Sequence, residues 1–267
     1  MLRTFFIAVF FFTMTPLLIA VQWTLDKLRL PGWGVIAAGY YRVLCALLRI
    51  RIRVVGTPVR DRAVLFVSNH VSWADILAIG SLAPVAFVSK REVGDWPLVG
   101  PTARLQRTVF VDRAKRHQTG EAVAEMVKRL ADGVPVVLFA EGTSSDGNRV
   151  LPFRSALMGA VKEAGSLAEG GILIQPMSIS YTRLHGIPMG RQHRPLVAWY
   201  GDLDFVPHFK TFVARGAVEV VISYGEPFAA DARSDRKAMT RALEGSVRKI
   251  TAEALAGRPP AAVNTAK

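Results

Sequence analysis

Ser68-Asn69-His70-Val71-Ser72-Trp73-Ala74-Asp75 sets a histidine and an aspartate five residues apart, directly after the apolar run Ala63-Val64-Leu65-Phe66-Val67. If a helix begins at Ser72 or Trp73, Asp75 lies in its first turn and can reach back to His70. A carboxylate on one imidazole nitrogen fixes the tautomer and stabilises the imidazolium, leaving the other nitrogen as a general base. The spacing alone also arises readily by chance. Its place at a strand end, where α/β proteins build their sites, is what favours chemistry.

Two further stretches follow apolar runs. Phe139-Ala140-Glu141-Gly142-Thr143-Ser144-Ser145-Asp146-Gly147 gathers glycines and hydroxyls. Such a loop can present backbone N–H groups to an anion, or it is a plain polar turn. It is not a serine-nucleophile elbow, because Gly-x-Ser-x-Gly requires one residue fewer between Ser144 and Gly147. Val109-Phe110-Val111-Asp112-Arg113 ends on an arginine that can hold a phosphate or carboxylate bidentately, or pair with a neighbouring acid at the surface. These stretches offer a base and its orienter but no activated nucleophile. His117, His185, His193 and His208 show no ligand spacing and are expected to be structural or surface residues.

The elements that must position these groups have an α/β texture. Short runs rich in Val, Ile and Phe predict strands at 50–55, 63–68, 85–89, 108–111, 134–140, 172–180, 195–200 and 217–224. Amphipathic stretches predict helices at 72–81, 116–132, 154–168 and 235–256, with a further helix start near Asp204. Strands apolar on both faces belong in the middle of a sheet covered by helices. The expected class is therefore α/β: a central mostly parallel or mixed sheet flanked by helices, preceded by N-terminal membrane-binding helices. The expected organisation is a membrane anchor and interfacial helix over 1–48, one folded domain over 49–257 and a disordered tail over 258–267.

Thr4 to Val21 is a run of eighteen residues without a charge. That length crosses a bilayer as a helix or, kinked at Pro16, lies within one leaflet. The run exceeds a usual signal-peptide core and no small-x-small cleavage site follows, so a retained anchor is expected. Trp33 to Leu48, apolar but holding Arg42, suits the membrane interface. Seven Lys/Arg from Lys27 to Arg60, against Arg3 alone before the apolar run, place the following domain on the cytoplasmic side of the inner membrane. The whole chain carries 34 Lys+Arg against 21 Asp+Glu, a net charge of +13, which calls for an anionic partner. The basic residues beside the apolar run point to lipid headgroups, and no nucleic-acid module is recognisable. The single cysteine, Cys45, excludes an intramolecular disulfide and a Cys-based zinc site.

In order and spacing, the three stretches resemble the glycerolipid acyltransferase family, which includes 1-acylglycerol-3-phosphate acyltransferases and bacterial enzymes that acylate lyso-ornithine lipid. The family pattern is His-x-x-x-x-Asp, then a block ending Phe-x-Asp/Arg-Arg, then Phe-Pro-Glu-Gly-Thr-Arg-Ser, then a proline flanked by apolar residues in a strand. His70/Asp75, Phe110–Arg113, Phe139–Ser145 and Ile174–Ile179 supply the four blocks, and Pro152-Phe153-Arg154 is similar to the Pro-Phe-Lys that follows the third. The resemblance covers about residues 50–225.

What the resemblance implies is an acyl transfer in which His70 deprotonates an acceptor hydroxyl and Asp75 orients it. The hydroxyl then attacks the thioester of acyl-acyl carrier protein or acyl-CoA. Arg113, Glu141, Gly142, Thr143, Ser144 and Arg154 bind substrate, and no metal or other cofactor is required. The acceptor expected first is 1-acyl-sn-glycerol-3-phosphate, giving phosphatidic acid. Ala140 and Ser144 depart from the family pattern. Ala140 replaces a turn proline. Ser144 stands where an arginine grips the acceptor's phosphate, and this makes lyso-ornithine lipid, which has no phosphate, the alternative acceptor. A thioester hydrolase and a non-catalytic lipid-binding protein are the more distant alternatives.

Overall fold

The computed structural model describes residues 2–30, 32–111, 118–154, 172–230 and 235–258. Its strands are β1 (Ile50–Val55), β2 (Val64–Ser68), β3 (Ala86–Lys90), β4 (Val109–Val111), β5 (Val136–Phe139), β6 (Ile172–Leu184), β7 (Ile187–Pro188), β8 (Val218–Tyr224) and β9 (Phe228–Ala230). The helices are α1 (Leu2–Lys27), α2 (Trp33–Leu48), α3 (Ala74–Gly80), α4 (Val99–Leu105), α5 (Gln118–Ala131), α6 (Phe205–Arg215) and α7 (Arg236–Leu255).

The period of two along each strand builds both faces of the sheet. Leu65 and Val67 of β2 enter one apolar layer, and Val64 and Phe66 enter the other. In β5, Val136 and Leu138 join the first layer while Val137 and Phe139 join the second. Strands so apolar on both sides are stable only between neighbours, and the sheet order β1-β8-β6-β2-β5-β3-β4 puts them at its centre. From β6 to β4 the strands run parallel. β8 joins β6 antiparallel and carries β1 parallel to itself, so the sheet is mixed.

The helices close the two layers. Ala122, Met126, Val127 and Leu130 of α5, with Met239, Leu243 and Val247 of α7, cover the first. Cys45 and Leu48 of α2, Ala74, Ala78 and Ile79 of α3, and Phe212 and Val213 of α6 cover the second. Each large aliphatic side chain buried in this way contributes roughly 1.5–3 kcal/mol.

The N-terminal helices form an antiparallel hairpin. Arg3 donates to the Leu47 carbonyl at 3.1 Å, and Phe10 stacks on Tyr40 at 5.8 Å. Arg3 also donates to the Val213 carbonyl of α6 at 2.9 Å, and Ile7 enters the layer that holds Leu48 and Phe212. α1 therefore lies along the side of the domain. Its opposite face leaves Phe5, Phe6, Phe12, Leu17 and Trp23 exposed.

Residues 195–200 and α4 depart from expectation, and two expected segments fall almost wholly outside the described residues. Residues 195–200 are not a strand. Arg194–Leu196 is a 3-10 turn, and Val197 and Ala198 are fully buried in irregular backbone. An apolar run reports burial, and Pro195 removes a ladder donor, so the run had no strand to join. α4 carries no helical signature because Gly100 and Pro101 interrupt it. Gly100 is required there, since a Cβ would sit 2.0 Å from the Gly94 carbonyl oxygen. The helix expected at 154–168 and the tail expected at 258–267 lie outside the described residues beyond Arg154 and Arg258.

Candidate active site

β2 stops pairing at Ser68, opposite Phe139 of β5 and Met177 of β6. The next side chain extends the sheet: Asn69 donates from Nδ2 to the Ile179 carbonyl, and the Ile179 N–H donates to Asn69 Oδ1, both at 2.9 Å. With its side chain taking the place of a ladder, the backbone of Asn69 and His70 is free to turn toward α3, as the strand-to-helix turn required. Asp75 then falls in the first turn of α3.

Asp75 is fully buried and takes four donors. Its Oδ2 accepts from His70 Nδ1 at 2.7 Å, from the Val71 N–H at 2.7 Å and from the Ser72 N–H at 3.0 Å. Its Oδ1 accepts from the Tyr181 hydroxyl of β6 at 2.8 Å. Those bonds replace the water that the carboxylate gives up. Because the carboxylate can only accept, Nδ1 carries the imidazole proton and Nε2 is left with its lone pair. The His70 ring also stacks on Phe139 at 4.1 Å, while its side chain stays 20% exposed. Held on one edge and one face, the imidazole presents a base to the surface.

The loop after β5 wraps the same histidine. The Ser145 N–H donates to the His70 carbonyl at 2.9 Å. Glu141, almost fully buried, accepts from the His70 N–H at 3.3 Å and from the Leu151 N–H at 2.9 Å. Burial pushes its carboxyl up to about 8, against the lowering by those two N–H groups, and nearby Asp75 raises it further. Gly142 adopts φ +71°, and a Cβ there would meet Arg154 Cδ at 2.8 Å and Nε at 2.9 Å. The Arg154 side chain thus lies against the turn. Arg154 and Thr143 are both exposed at this edge.

Ser144 turns elsewhere. Its hydroxyl donates to the Trp199 carbonyl, and the Trp199 N–H donates to the Val71 carbonyl at 2.9 Å. Trp199 so ties the loop of His70 to the loop of Glu141. Its indole packs edge-on with Trp96 and Phe205. Phe205 and Phe209 continue this aromatic wall to Trp73, whose indole N–H donates to the buried His208 at 3.0 Å. His208, expected to be a structural or surface residue, is buried against this wall.

Of the residues expected at the site, His70, Asp75, Glu141, Gly142, Thr143, Ser144 and Arg154 gather at the C-terminal ends of β2 and β5. Arg113 lies outside the described residues. Three residues that no motif marks also belong to the assembly: Asn69, Tyr181 and Trp199. Asn69 left a faint signal, a polar amide continuing an apolar strand. Tyr181 left none, since its partner is distant in sequence, and Trp199 stood in the apolar run 195–200 with no sign of the two loops that it joins.

Comparison with known proteins finds acyltransferases. The acyltransferase family model matches residues 51–180. The lyso-ornithine lipid O-acyltransferase of Brucella abortus is 47% identical over 236 residues, 87% of this chain and 85% of that protein. The protein of the same name from Rhizobium meliloti is 46% identical, over 82% of this chain and 75% of its own length. Among solved structures, the 1-acyl-sn-glycerophosphate (LPA) acyltransferase of Thermotoga maritima superposes with a TM-score of 0.65 at 22% identity, covering 95% of this chain and 93% of that one. That likeness is one of fold.

Proposed function

This chain belongs to the acyltransferase family, and on that premise we propose that it moves a fatty acyl group from a thioester to the free hydroxyl of lyso-ornithine lipid. The observation that carries the choice of acceptor is the likeness to the Brucella and Rhizobium enzymes along most of the chain. Ser144 supports it. The residue in the place of a phosphate-gripping arginine is a short hydroxyl spent on the Trp199 carbonyl. Arg154, exposed against Gly142, can hold the carboxylate of an ornithine headgroup in a charge-assisted pair. The phosphate-bearing acceptor expected first from motif order is the less supported reading.

In this reading Nε2 of His70 takes the proton of the acceptor hydroxyl as its oxygen attacks the thioester carbonyl. The new C–O bond forms, the C–S bond breaks, and the imidazolium returns its proton to the departing sulfur. An ester and a thiol leave, and His70 is neutral again. Asp75 holds the ring in the tautomer that this requires. The donor is acyl-acyl carrier protein or acyl-CoA, and the basic chain suits the acidic partner that either presents.

The enzyme works at the cytoplasmic side of the inner membrane, with the exposed apolar face of α1 sunk into one leaflet. Arg3 and Ile7 bind α1 to the domain, which supports embedding over crossing. Fluorescent labels at Phe5 and Trp23, near the two ends of α1, quenched to similar depth support this, and labels near opposite faces of the bilayer refute it.

The deciding assay gives purified enzyme each donor with lyso-ornithine lipid or lysophosphatidate. Faster transfer to lyso-ornithine lipid is expected. Exclusive transfer to lysophosphatidate, or release of free acid regardless of acceptor, overturns the proposal.

A further inference from the structure

We propose that Tyr181 is a positioning residue for the transfer, its hydroxyl holding Oδ1 of Asp75 so that Oδ2 stays aimed at His70. The inference rests on the reading of His70 as the base, and it extends the site to a residue 106 positions beyond Asp75. Tyr181 lies on β6 in the apolar layer with Met177 and Ile179, almost fully buried. A phenol there needs a partner for its O–H, and Asp75 supplies it at 2.8 Å. The pairing of β6 with β8 shifts register between Tyr181 and Arg183, immediately beyond this side chain. Bulges re-aim side chains beside active sites.

Without that hydroxyl, the three other bonds all fall on Oδ2 and none of them fixes Oδ1. The carboxylate would then carry an unmet acceptor in a dry interior and could rotate to satisfy it at the expense of His70. Burial, and next the Asp75 charge, push the Tyr181 phenol well above its usual range. It therefore stays a donor across the working pH range.

The test uses Tyr181→Phe, which removes only the hydroxyl, in the full-length membrane-bound enzyme. We expect kcat to fall about tenfold, the worth of one hydrogen bond to a charged group, with both KM values unchanged. The low-pH limb of the rate profile should move to higher pH, because a less stabilised carboxylate protonates more easily and also raises its hold on the imidazolium. In the Asp75→Asn background the same substitution should cost nothing further, since its partner's charge is already gone. A wild-type pH profile in Tyr181→Phe, or losses that add fully in the double variant, overturns the role of Tyr181. Full activity in His70→Ala instead overturns the underlying reading of the base, so the two failures are told apart.

Discussion

Asn69 and Ile179 exchange two hydrogen bonds at 2.9 Å each, so that one side-chain amide continues the β2–β6 ladder past the last paired backbone residue. The amide holds β6 in register while the main chain departs to present His70. The loop that carries His70 and the sheet are joined at that point without a strand.

Asn69→Ala leaves the N–H and carbonyl of Ile179 buried without those partners. The expected cost is about 3 kcal/mol, a drop of roughly 6–12 °C in melting temperature for a domain of this size. Differential scanning fluorimetry checks it, and a change within about 1 °C would show that the ladder closes by other means.

His70→Ala removes the proposed base and Asp75→Asn its proposed orienter. Each should lower kcat on the order of 10²–10⁴-fold, with acceptor KM little changed because neither is assigned to binding. A rate near wild type for His70→Ala in the labelled acyl transfer assay would end the proposed mechanism.

Glu141 links stability to pH. Its carboxyl titrates at about 8 in the folded protein and near 4.5 when exposed. Between those values the folded state binds more protons. The stabilisation is therefore complete below the lower value and is lost as pH rises through the higher one. Melting temperature should climb as pH is lowered from about 8 toward about 5, and the slope should flatten in Glu141→Gln. An equal slope in that variant would assign the dependence to another group.

Gly142→Ala meets two obstacles. Its φ of +71° costs a residue with a Cβ roughly 1–2 kcal/mol, and the new carbon would press on Arg154. Acceptor KM should rise more than donor KM. A rise in donor KM alone would move Arg154 to the other substrate.

Ser144→Arg deletes the hydroxyl that bonds the Trp199 carbonyl and supplies the guanidinium that the family pattern resembled by this stretch carries there. The ratio of activity on lysophosphatidate to activity on lyso-ornithine lipid should increase. An unchanged ratio would remove Ser144 from the argument about the acceptor.

Local contacts were legible in the sequence. His70 and Asp75 are five residues apart across a strand-to-helix turn, and their meeting needs only that turn to form. The alternation in β2 and β5 and the stripe on α5 gave the layers, because a period of two or 3.6 is a property of the segment itself. The order of the blocks along the chain carried the family. The tertiary structure alone decided which distant groups complete the site. Tyr181 reaches Asp75 because β6 lies beside β2, and Trp199 joins two loops because a buried run of no regular structure passes between them. It also set α1 against the domain through Arg3, where hydropathy measured only length. Strand order and loop closure bring together residues whose sequence separation says nothing of their distance, and the geometry of Asp75 depends on that neighbour in the sheet.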